Sequence, residues 1–172
     1  MTLAEDVRAA LRAFPDFPSK GILFQDVAPV LGSPALLRRV VDAMAEPWRG
    51  KVDAVAGVES RGFILGAPVA LALDARFIPV RKKGKLPGVL LHEEYDLEYG
   101  RAVVEMQADA VRANERVLLV DDVLATGGTA NAALRLVEKA GARVTGFSFL
   151  LEIVALNGRA KLPREASVIL TV

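Results

Sequence analysis

The chain has 172 residues, enough for one domain whose core needs no disulfide to support it. It contains no cysteine and a single histidine, which excludes disulfide scaffolds, thiolate metal sites, cysteine nucleophiles and multi-histidine zinc sites. Its net charge of +1 excludes an overall field that would attract nucleic acid or an anionic membrane, so any anion-binding site must be local.

The N-terminal stretch and the apolar runs give no sign of membrane targeting. Residues 1–14 carry acidic side chains early and lack the apolar segment of a signal peptide. No apolar run reaches the roughly 18 residues that a membrane-spanning helix needs. We therefore expect a cytoplasmic protein that binds neither a membrane nor nucleic acid.

The first part of the chain predicts two helices separated by an irregular segment. Apolar residues recur at helical spacing over residues 3–13, whereas residues 14–21 contain prolines and a glycine that should interrupt regular structure. Residues 33–44 should form the second helix, with Ser33 as its cap and Pro34 in its first turn.

Farther along, short β-branched apolar runs alternate with longer segments that suit helices. Strands are predicted at 52–58, 76–80, 102–107, 116–120 and 143–154, and helices at 62–73 and 129–141. This alternation predicts right-handed βαβ units and a single α/β domain over residues 1–172, with a mostly parallel central sheet flanked by helices on both faces. Residues 81–101 fit neither periodicity, so we expect an irregular, functional or mobile loop there.

The stretch VLLVDDVLATGGT, residues 117–129, is the first candidate for a binding site. Ligands of an open parallel sheet lie beyond the carboxyl ends of its strands, where Asp121 and Asp122 would emerge. Two glycines follow that permit positive φ angles, and Thr129 would begin a helix whose N-terminal N–H groups and dipole attract phosphate. The stretch therefore predicts a phosphate in the loop and, at the aspartates, a partner with hydroxyl groups or a divalent cation.

Other interpretations of this stretch fit its residues less well. A P-loop would need a lysine, and a dinucleotide-binding turn would need the pattern G-x-G-x-x-G. A purely structural turn would explain the glycines and would use Thr129 as a helix cap. It would leave two adjacent, mutually repelling aspartates without a reason, so we retain the phosphate site, to which Thr126 and Thr129 would add hydroxyl donors.

The stretch also resembles the 5-phosphoribosyl 1-pyrophosphate (PRPP) motif of the type I phosphoribosyltransferases, in which a hydrophobic run precedes two acidic residues and A-T-G-G-T. The resemblance implies that Asp121 and Asp122 bind the ribose hydroxyls. It further implies that the 5′-phosphate is bound by Ala125, Thr126, Gly127, Gly128 and Thr129.

A second strand-to-helix loop, GVESRGF at residues 57–63, could bind another anion. Ser60 and Gly62 suit a tight turn, and Arg61 could present its fork to a phosphate or a carboxylate. A surface ion pair is the alternative for this arginine. Because PRPP carries anionic groups at both ends of its ribose, the first site favours the phosphate interpretation.

A third candidate is RKKGKLPG, residues 81–88, which we call the basic loop. Its cations are Arg81, Lys82, Lys83 and Lys85. A solvated run of charges is one interpretation. The glycines and proline favour another, a flap that closes over a pyrophosphate and excludes water from it.

Over nearly its full length, the chain resembles the adenine-specific members of the phosphoribosyltransferase family. The matching segments are 14–31, 57–66, 81–88, 95–100, 117–129 and 150–162. The resemblance implies the type I phosphoribosyltransferase fold, with a small N-terminal hood from about residues 1–34 over the base and a flexible loop. It also implies a homodimeric, Mg²⁺-dependent pentosyltransferase of purine salvage that converts PRPP and adenine to AMP and pyrophosphate.

The resemblance extends to individual residues. Phe24 would stack on adenine, the backbone of Gln25 would contact its Watson–Crick edge, and Ile153 would cover its other face. The catalytic residues would be Glu98, as acid or base, and Arg61. The pyrophosphate would be bound by Ser60, Arg61, Arg81, Lys82 and Lys85. The Mg²⁺ would be held through the substrate, with Asp121 or Asp122 contacting it through water.

Two other functions share these features. Another purine phosphoribosyltransferase would keep the PRPP site and differ around Phe24 and Ile153. A PRPP-sensing regulator would keep the fold without catalysis. Such a regulator usually carries a DNA-binding segment and a basic surface, whereas one helix precedes residue 14 and the net charge is +1.

Overall fold

The computed structural model describes residues 2–97 and 100–172. The helices are α1 (Leu3–Ala10), α2 (Ala28–Leu31), α3 (Pro34–Ala45), α4 (Arg61–Ala72) and α5 (Gly128–Lys139). The strands are β1 (Arg12–Pro15), β2 (Leu23–Asp26), β3 (Ala54–Val58), β4 (Arg76–Lys82), β5 (Leu90–Leu97), β6 (Gly100–Gln107), β7 (Arg116–Leu124), β8 (Arg143–Glu152) and β9 (Ala166–Thr171). Short 3-10 turns occupy Glu46–Trp48, Val154–Leu156 and Gly158–Lys161. In this described part of the chain, no helix is both long and apolar enough to cross a membrane.

Seven strands form the central sheet in the order β5-β6-β4-β3-β7-β8-β9. The strands from β4 to β9 in this order pair in parallel, and β5 and β6 add an antiparallel edge. The mostly parallel α/β sheet that the alternating pattern predicts is therefore confirmed. The carboxyl ends of the central parallel strands lie along one edge of the sheet, where the predicted loops follow them.

Helices cover both faces of the sheet because successive side chains of a strand point to opposite faces. In β7, Val117 and Leu119 belong to the buried cluster that α5 covers. Leu118 and Val120 belong to the cluster on the other face, which α1, α3 and α4 cover. This two-sided burial explains why β7 is a continuous apolar run before its aspartates.

The N-terminal segment contains a hairpin that the sequence did not predict. Strands β1 and β2 pair antiparallel outside the central sheet; β1 covers the end of the predicted first helix and the first two residues of the predicted break at 14–21, and β2 follows that break. The rings of Phe17 and Phe24 meet edge to face with centroids 5.1 Å apart, and Arg12 Nε donates to Asp26 Oδ2 at 2.9 Å. Each strand has only four residues and β1 is fully exposed, so neither has the alternating pattern that would reveal it.

Other elements also differ from the prediction. The expectation of an irregular loop over 81–101 was wrong for Leu90–Leu97, which forms β5 against β6. It was also wrong at its two ends, where residues 81–82 belong to β4 and residues 100–101 to β6. Strand β7 does not end at Val120; it continues to Leu124 because both aspartates lie within its parallel pairing region with β8. Strand β9 was not predicted, and α5 begins at Gly128, one residue before the expected start.

Candidate active site

The candidate site lies at the carboxyl ends of β3 and β7, and the chain segments that follow these two strands lead in opposite directions along the sheet. From β3 the chain passes through α4 to β4, and from β7 it passes through α5 to β8, which lies on the opposite side in the strand order. Such a switch point leaves a crevice between the carboxyl ends of the two strands, where ligands of open α/β sheets bind. The loops that follow β3 and β7 therefore border the same crevice.

Two cavities adjoin at this crevice. The larger has a volume of about 430 Å³, and the smaller, of about 70 Å³, lies against the turn between β7 and α5. Predicted residues that line the larger cavity are Ser60, Arg61, Arg81, Lys82, Asp121, Asp122 and Thr129. Those that line the smaller one are Asp121, Ala125, Thr126, Gly127, Gly128 and Thr129. Since Asp121 and Thr129 border both, the structure brings most of the predicted PRPP residues together.

The turn between β7 and α5 has the geometry expected of a phosphate loop. Gly127 has a φ angle of +81° and is the N-cap of α5, with no side-chain cap on the helix. A Cβ atom at this position would also lie 2.9 Å from the carbonyl oxygen of Gly158. Asn131 Nδ2 donates to the Gly127 carbonyl at 3.1 Å and holds the turn from within the helix. The first N–H groups and the positive dipole end of a 12-residue helix therefore face the smaller cavity.

The two adjacent aspartates have different surroundings. Asp122 is buried and its carboxylate pairs with Nε of Arg61. Asp121 accepts the backbone N–H of Asp122 at 2.8 Å. Burial, reinforced by the neighbouring Asp122 carboxylate, raises the pKa of Asp121 well above its usual range. The repulsion between the pair is thus relieved by a cation at one carboxylate and by a greater tendency of the other to hold a proton.

Arg61 joins the two strand-to-helix loops. It is the first residue of α4, and Gly62 behind it lets the helix approach β7 closely, since a Cβ there would lie 2.9 Å from the Val120 carbonyl oxygen. The surface ion pair that was the alternative for Arg61 is therefore an ion pair inside the candidate site. Its guanidinium remains half-exposed and faces the larger cavity.

The basic loop is attached to the same cavity through Glu59. Arg81 Nε lies 3.2 Å from Glu59 Oε2, and the backbone N–H of Lys82 donates to that oxygen at 2.9 Å. Arg81 Nη1 also donates to the Lys85 carbonyl oxygen at 3.2 Å. Arg81 and Lys82 line the larger cavity, whereas Lys85 is exposed beyond the residues that line it.

The predicted adenine residues lie outside the linings of these two cavities. Phe24 and Gln25 are half-buried in β2, and Ile153 follows β8, where its N–H donates to the Leu124 carbonyl at 2.9 Å. Burial opposes the raised pKa of Arg61, which is due chiefly to the hydrogen bond with Asp122, and the Asp26 carboxylate at the end of the β1–β2 hairpin adds the smallest contribution. Glu98 lies outside the described residues.

Two polar residues at the larger cavity were not predicted. Tyr95 reaches it from β5, and Glu59 links it to the basic loop. The alternating burial of β5 would have placed Tyr95 on the inner face, but that pattern becomes visible only once the strand is known. No local pattern distinguishes Glu59 from a solvated acid.

Proteins of one family match this chain. Residues 30–168 match the family model of the phosphoribosyl transferase domain. An adenine phosphoribosyltransferase from Myxococcus xanthus is 56% identical over 165 residues, which cover 95% of this chain and 90% of that protein. The chain belongs to the adenine phosphoribosyltransferase family.

Solved adenine phosphoribosyltransferases have the same fold. The enzyme from Rhodothermus marinus superposes with a TM-score of 0.93 at 50% identity, over 99% of this chain and 98% of that one. The enzyme from Saccharomyces cerevisiae, solved in complex with an imino-altritol bisphosphate and adenine, superposes with a TM-score of 0.92 at 41% identity, over 97% of this chain and 98% of that one. The predicted phosphoribosyltransferase fold is confirmed.

Proposed function

We propose that this protein transfers the 5-phosphoribosyl group from PRPP to adenine and releases AMP and pyrophosphate, a step of purine salvage. The observation that carries the proposal is the pair Asp121 and Asp122 between a glycine-rich helix N-terminus and Arg61, in a chain of the adenine phosphoribosyltransferase family. Carboxylates accept hydrogen bonds from ribose hydroxyls, and the helix N-terminus and the arginine suit the anions on either side of that ribose.

The 5′-phosphate would bind at residues 125–129, in the smaller cavity. Thr126 and Thr129 would add hydroxyl donors to the N–H groups at the start of α5. The ribose would then extend toward the larger cavity, with its hydroxyls donating to Asp121 and Asp122. The shared border of the two cavities at Asp121 supports this direction.

The pyrophosphate would lie in the larger cavity, near Arg61. Binding would exchange partners, because the pyrophosphate would replace Asp122 at the guanidinium and a ribose hydroxyl would replace Arg61 at the carboxylate. Such an exchange leaves neither charge without a partner. Further contacts would come from Ser60, Arg81, Lys82 and Lys85.

Adenine would bind under a hood to which residues 1–34 contribute. Phe24 would stack on the ring, the backbone of Gln25 would contact its Watson–Crick edge, and Ile153 would cover the other face. As the C1′–O bond to pyrophosphate breaks, N9 of adenine bonds to C1′ through an oxocarbenium-like state and loses its proton, which Glu98 would accept.

Mg²⁺ is the ion that we propose for the reaction. Within the described residues, no group of three or more histidine, cysteine, aspartate or glutamate side chains could hold a metal ion. The two carboxylates of Asp121 and Asp122 fit an ion that prefers oxygen ligands and keeps substrate oxygens and water around it. When bound, it would offset the negative charge of the pyrophosphate.

We also propose that the protein acts as a cytoplasmic homodimer.

The proposed function is tested by incubating the protein with PRPP, Mg²⁺ and one base at a time. Adenine, hypoxanthine, guanine, xanthine and orotate are compared, and the nucleotide and pyrophosphate formed are quantified. We expect AMP and pyrophosphate in equal amounts from adenine, with little product from the other bases. No product from adenine would contradict the proposal, whereas equal rates with hypoxanthine would indicate a general purine enzyme.

A further inference from the structure

A buried carboxylate lies beneath the basic loop. Glu105 belongs to β6 and is 1% exposed, which is unusual for an ionisable side chain unless it is fully bonded. Its Oε1 accepts the backbone N–H groups of Lys85 at 2.8 Å and Leu86 at 2.9 Å. Its Oε2 accepts the N–H of Gly84 at 3.0 Å. One side chain therefore fixes three consecutive residues of the basic loop.

The backbone of the loop is shaped around this carboxylate. Gly84 has a φ angle of +85°, a conformation that other residues seldom adopt, and it allows successive N–H groups to converge on one anion. The side chains of Lys82, Lys83 and Lys85 remain exposed. The N–H groups of the loop thus bind inward while its cations stay available to a ligand.

The environment of Glu105 keeps its negative charge in place. Burial alone would raise its pKa, but the three N–H groups outweigh it, and the net pKa lies below its usual range. His92 Nε2, on the neighbouring strand β5, lies 3.4 Å from Oε2 and adds to this effect. At neutral pH the acceptor is therefore an anion, which makes its hydrogen bonds stronger than those of a neutral group.

The start of the basic loop has an anchor of its own. Glu59 accepts the Lys82 N–H and pairs with Arg81, and it immediately precedes Ser60 at the larger cavity. Glu105 holds the far side of the turn. The two carboxylates leave the intervening residues little freedom to move away from the cavity.

We infer that Glu105 is a positioning residue, which fixes the backbone of the basic loop so that Lys82 and Lys85 are presented to the pyrophosphate of PRPP. The inference rests on the proposed function, since it assigns the loop to the pyrophosphate half of that substrate. AMP lacks the pyrophosphate. Loss of the anchor should therefore weaken the binding of PRPP and spare that of AMP.

The test compares the dissociation constants of PRPP with Mg²⁺ and of AMP in two variants. Glu105→Gln keeps the size of the side chain but replaces one acceptor oxygen with an NH₂ group that would face N–H donors. Gly84→Ala disturbs the same hydrogen bonds by changing the backbone of the loop. The added methyl group meets no atom within 4 Å, so the strain comes from the positive φ angle alone. The matched controls are Glu94→Gln, an exposed acid on β5, and Gly50→Ala, which has a φ angle of +71° and equally open surroundings.

We expect Glu105→Gln to raise the dissociation constant of PRPP about tenfold or more, because hydrogen bonds to a charged group are lost. Gly84→Ala should raise it several-fold, while both controls remain at the wild-type value. The affinity for AMP should stay within about twofold in every variant, which also shows that the protein is folded. Trypsin should cleave after the lysines of the basic loop faster in both loop variants than in their controls.

Unchanged PRPP affinity in both variants would overturn the inference, as would equal losses of PRPP and AMP affinity. Should Glu105→Gln fail to fold, Gly84→Ala decides the question through the same comparison. AMP formation by the wild-type protein tests the proposed function separately. If the wild-type protein forms AMP but the variants lose affinity for PRPP and AMP equally, the inference alone is overturned. If the variants lose affinity only for PRPP but the wild-type protein forms no AMP, the proposed function alone is overturned.

Discussion

The guanidinium of Arg61 pairs with the carboxylate of Asp122 and joins the start of α4 to β7. The ion pair lies at the centre of the crevice and borders the larger cavity. It neutralises the charge of the buried Asp122 carboxylate and holds Arg61 where the pyrophosphate would bind. Substitutions of either partner should therefore affect both stability and catalysis.

Replacing Arg61 with glutamine should lower kcat/KM for PRPP by about 10²-fold or more, the usual cost of removing one positioned charge-stabilising donor. The variant should also unfold at a lower temperature, because the buried Asp122 loses its cation. Steady-state kinetics with PRPP as the varied substrate and calorimetric melting measure both effects. Arg116→Gln is the control, since it removes the exposed Arg116–Asp53 pair at the other end of the sheet. Equal kinetic losses in the two variants would contradict a specific role for Arg61.

Adding one methyl group at Gly158 should displace residues 125–129, the loop proposed to bind the 5′-phosphate. A Cβ atom there would lie 2.1 Å from the Ala125 carbonyl oxygen, so the loop must shift to make room. Gly158→Ala should therefore weaken the binding of both AMP and PRPP and destabilise the fold by about 1–3 kcal/mol, as overpacking does. Gly32→Ala, whose Cβ would come no closer than 3.3 Å to another atom, is the control. Wild-type affinity for AMP in Gly158→Ala would show that the loop tolerates the displacement.

The raised pKa of Asp121 predicts a pH-dependent stability. A carboxyl group with a higher pKa in the folded state stabilises that state fully below its unfolded pKa of about 4. This contribution is lost as the pH rises through the folded-state value. Asp121→Asn, which carries no charge at any pH, should therefore gain in melting temperature relative to the wild-type protein as the pH is raised from about 4 to about 7. A difference that stays constant across this range would rule out the raised pKa.

Replacing Glu98 with alanine should lower the turnover number by about 10²-fold or more, the usual contribution of a general acid or base. The affinity for PRPP should change little, because Glu98 would act on adenine. Glu94→Ala, an exposed acid of β5, is the control for loss of an acidic side chain. An unchanged turnover number in Glu98→Ala would remove this residue from the mechanism.

Removal of divalent cations should abolish turnover and leave the melting temperature unchanged. The reason is that the proposed Mg²⁺ would be held mainly through oxygens of PRPP and through water, and would therefore enter with the substrate. Activity in the presence of EDTA and its recovery with Mg²⁺ are measured beside a melting curve without substrate. A clear drop in melting temperature on chelation would indicate a resident structural ion.

Sequence was most informative where the chemistry is local. The paired aspartates and the glycine turn lie within nine residues of one another, so their spacing alone predicted a phosphate loop at the end of a strand. The alternation of strands and helices likewise predicted the parallel sheet. In contrast, the pairing of Arg61 with Asp122 spans 61 positions, and the contact of Glu105 with the basic loop depends on the register of β6. Contacts of this kind depend on how distant segments are arranged in the fold, and a short sequence motif contains no information about that arrangement.

The short strands were missed for a related reason. β1 and β2 have four residues each, and β5 occupies a segment rich in charged residues, so none has an apolar alternation that outweighs its polar neighbours. Their hydrogen bonds are made with partners elsewhere in the chain. Tyr95 was overlooked as a site residue because its strand was overlooked.

The candidate site lies between β3 and β7, so its affinity for substrate depends on the whole central sheet being folded. Because Arg61 and Asp122 are brought together only when both halves of the sheet are assembled, a partly unfolded chain would lack the proposed PRPP site. Ligand binding and global unfolding are therefore thermodynamically linked. At a PRPP concentration about 100 times the dissociation constant, the folded state would gain about 2.7 kcal/mol, and amide hydrogen exchange should slow throughout the central sheet.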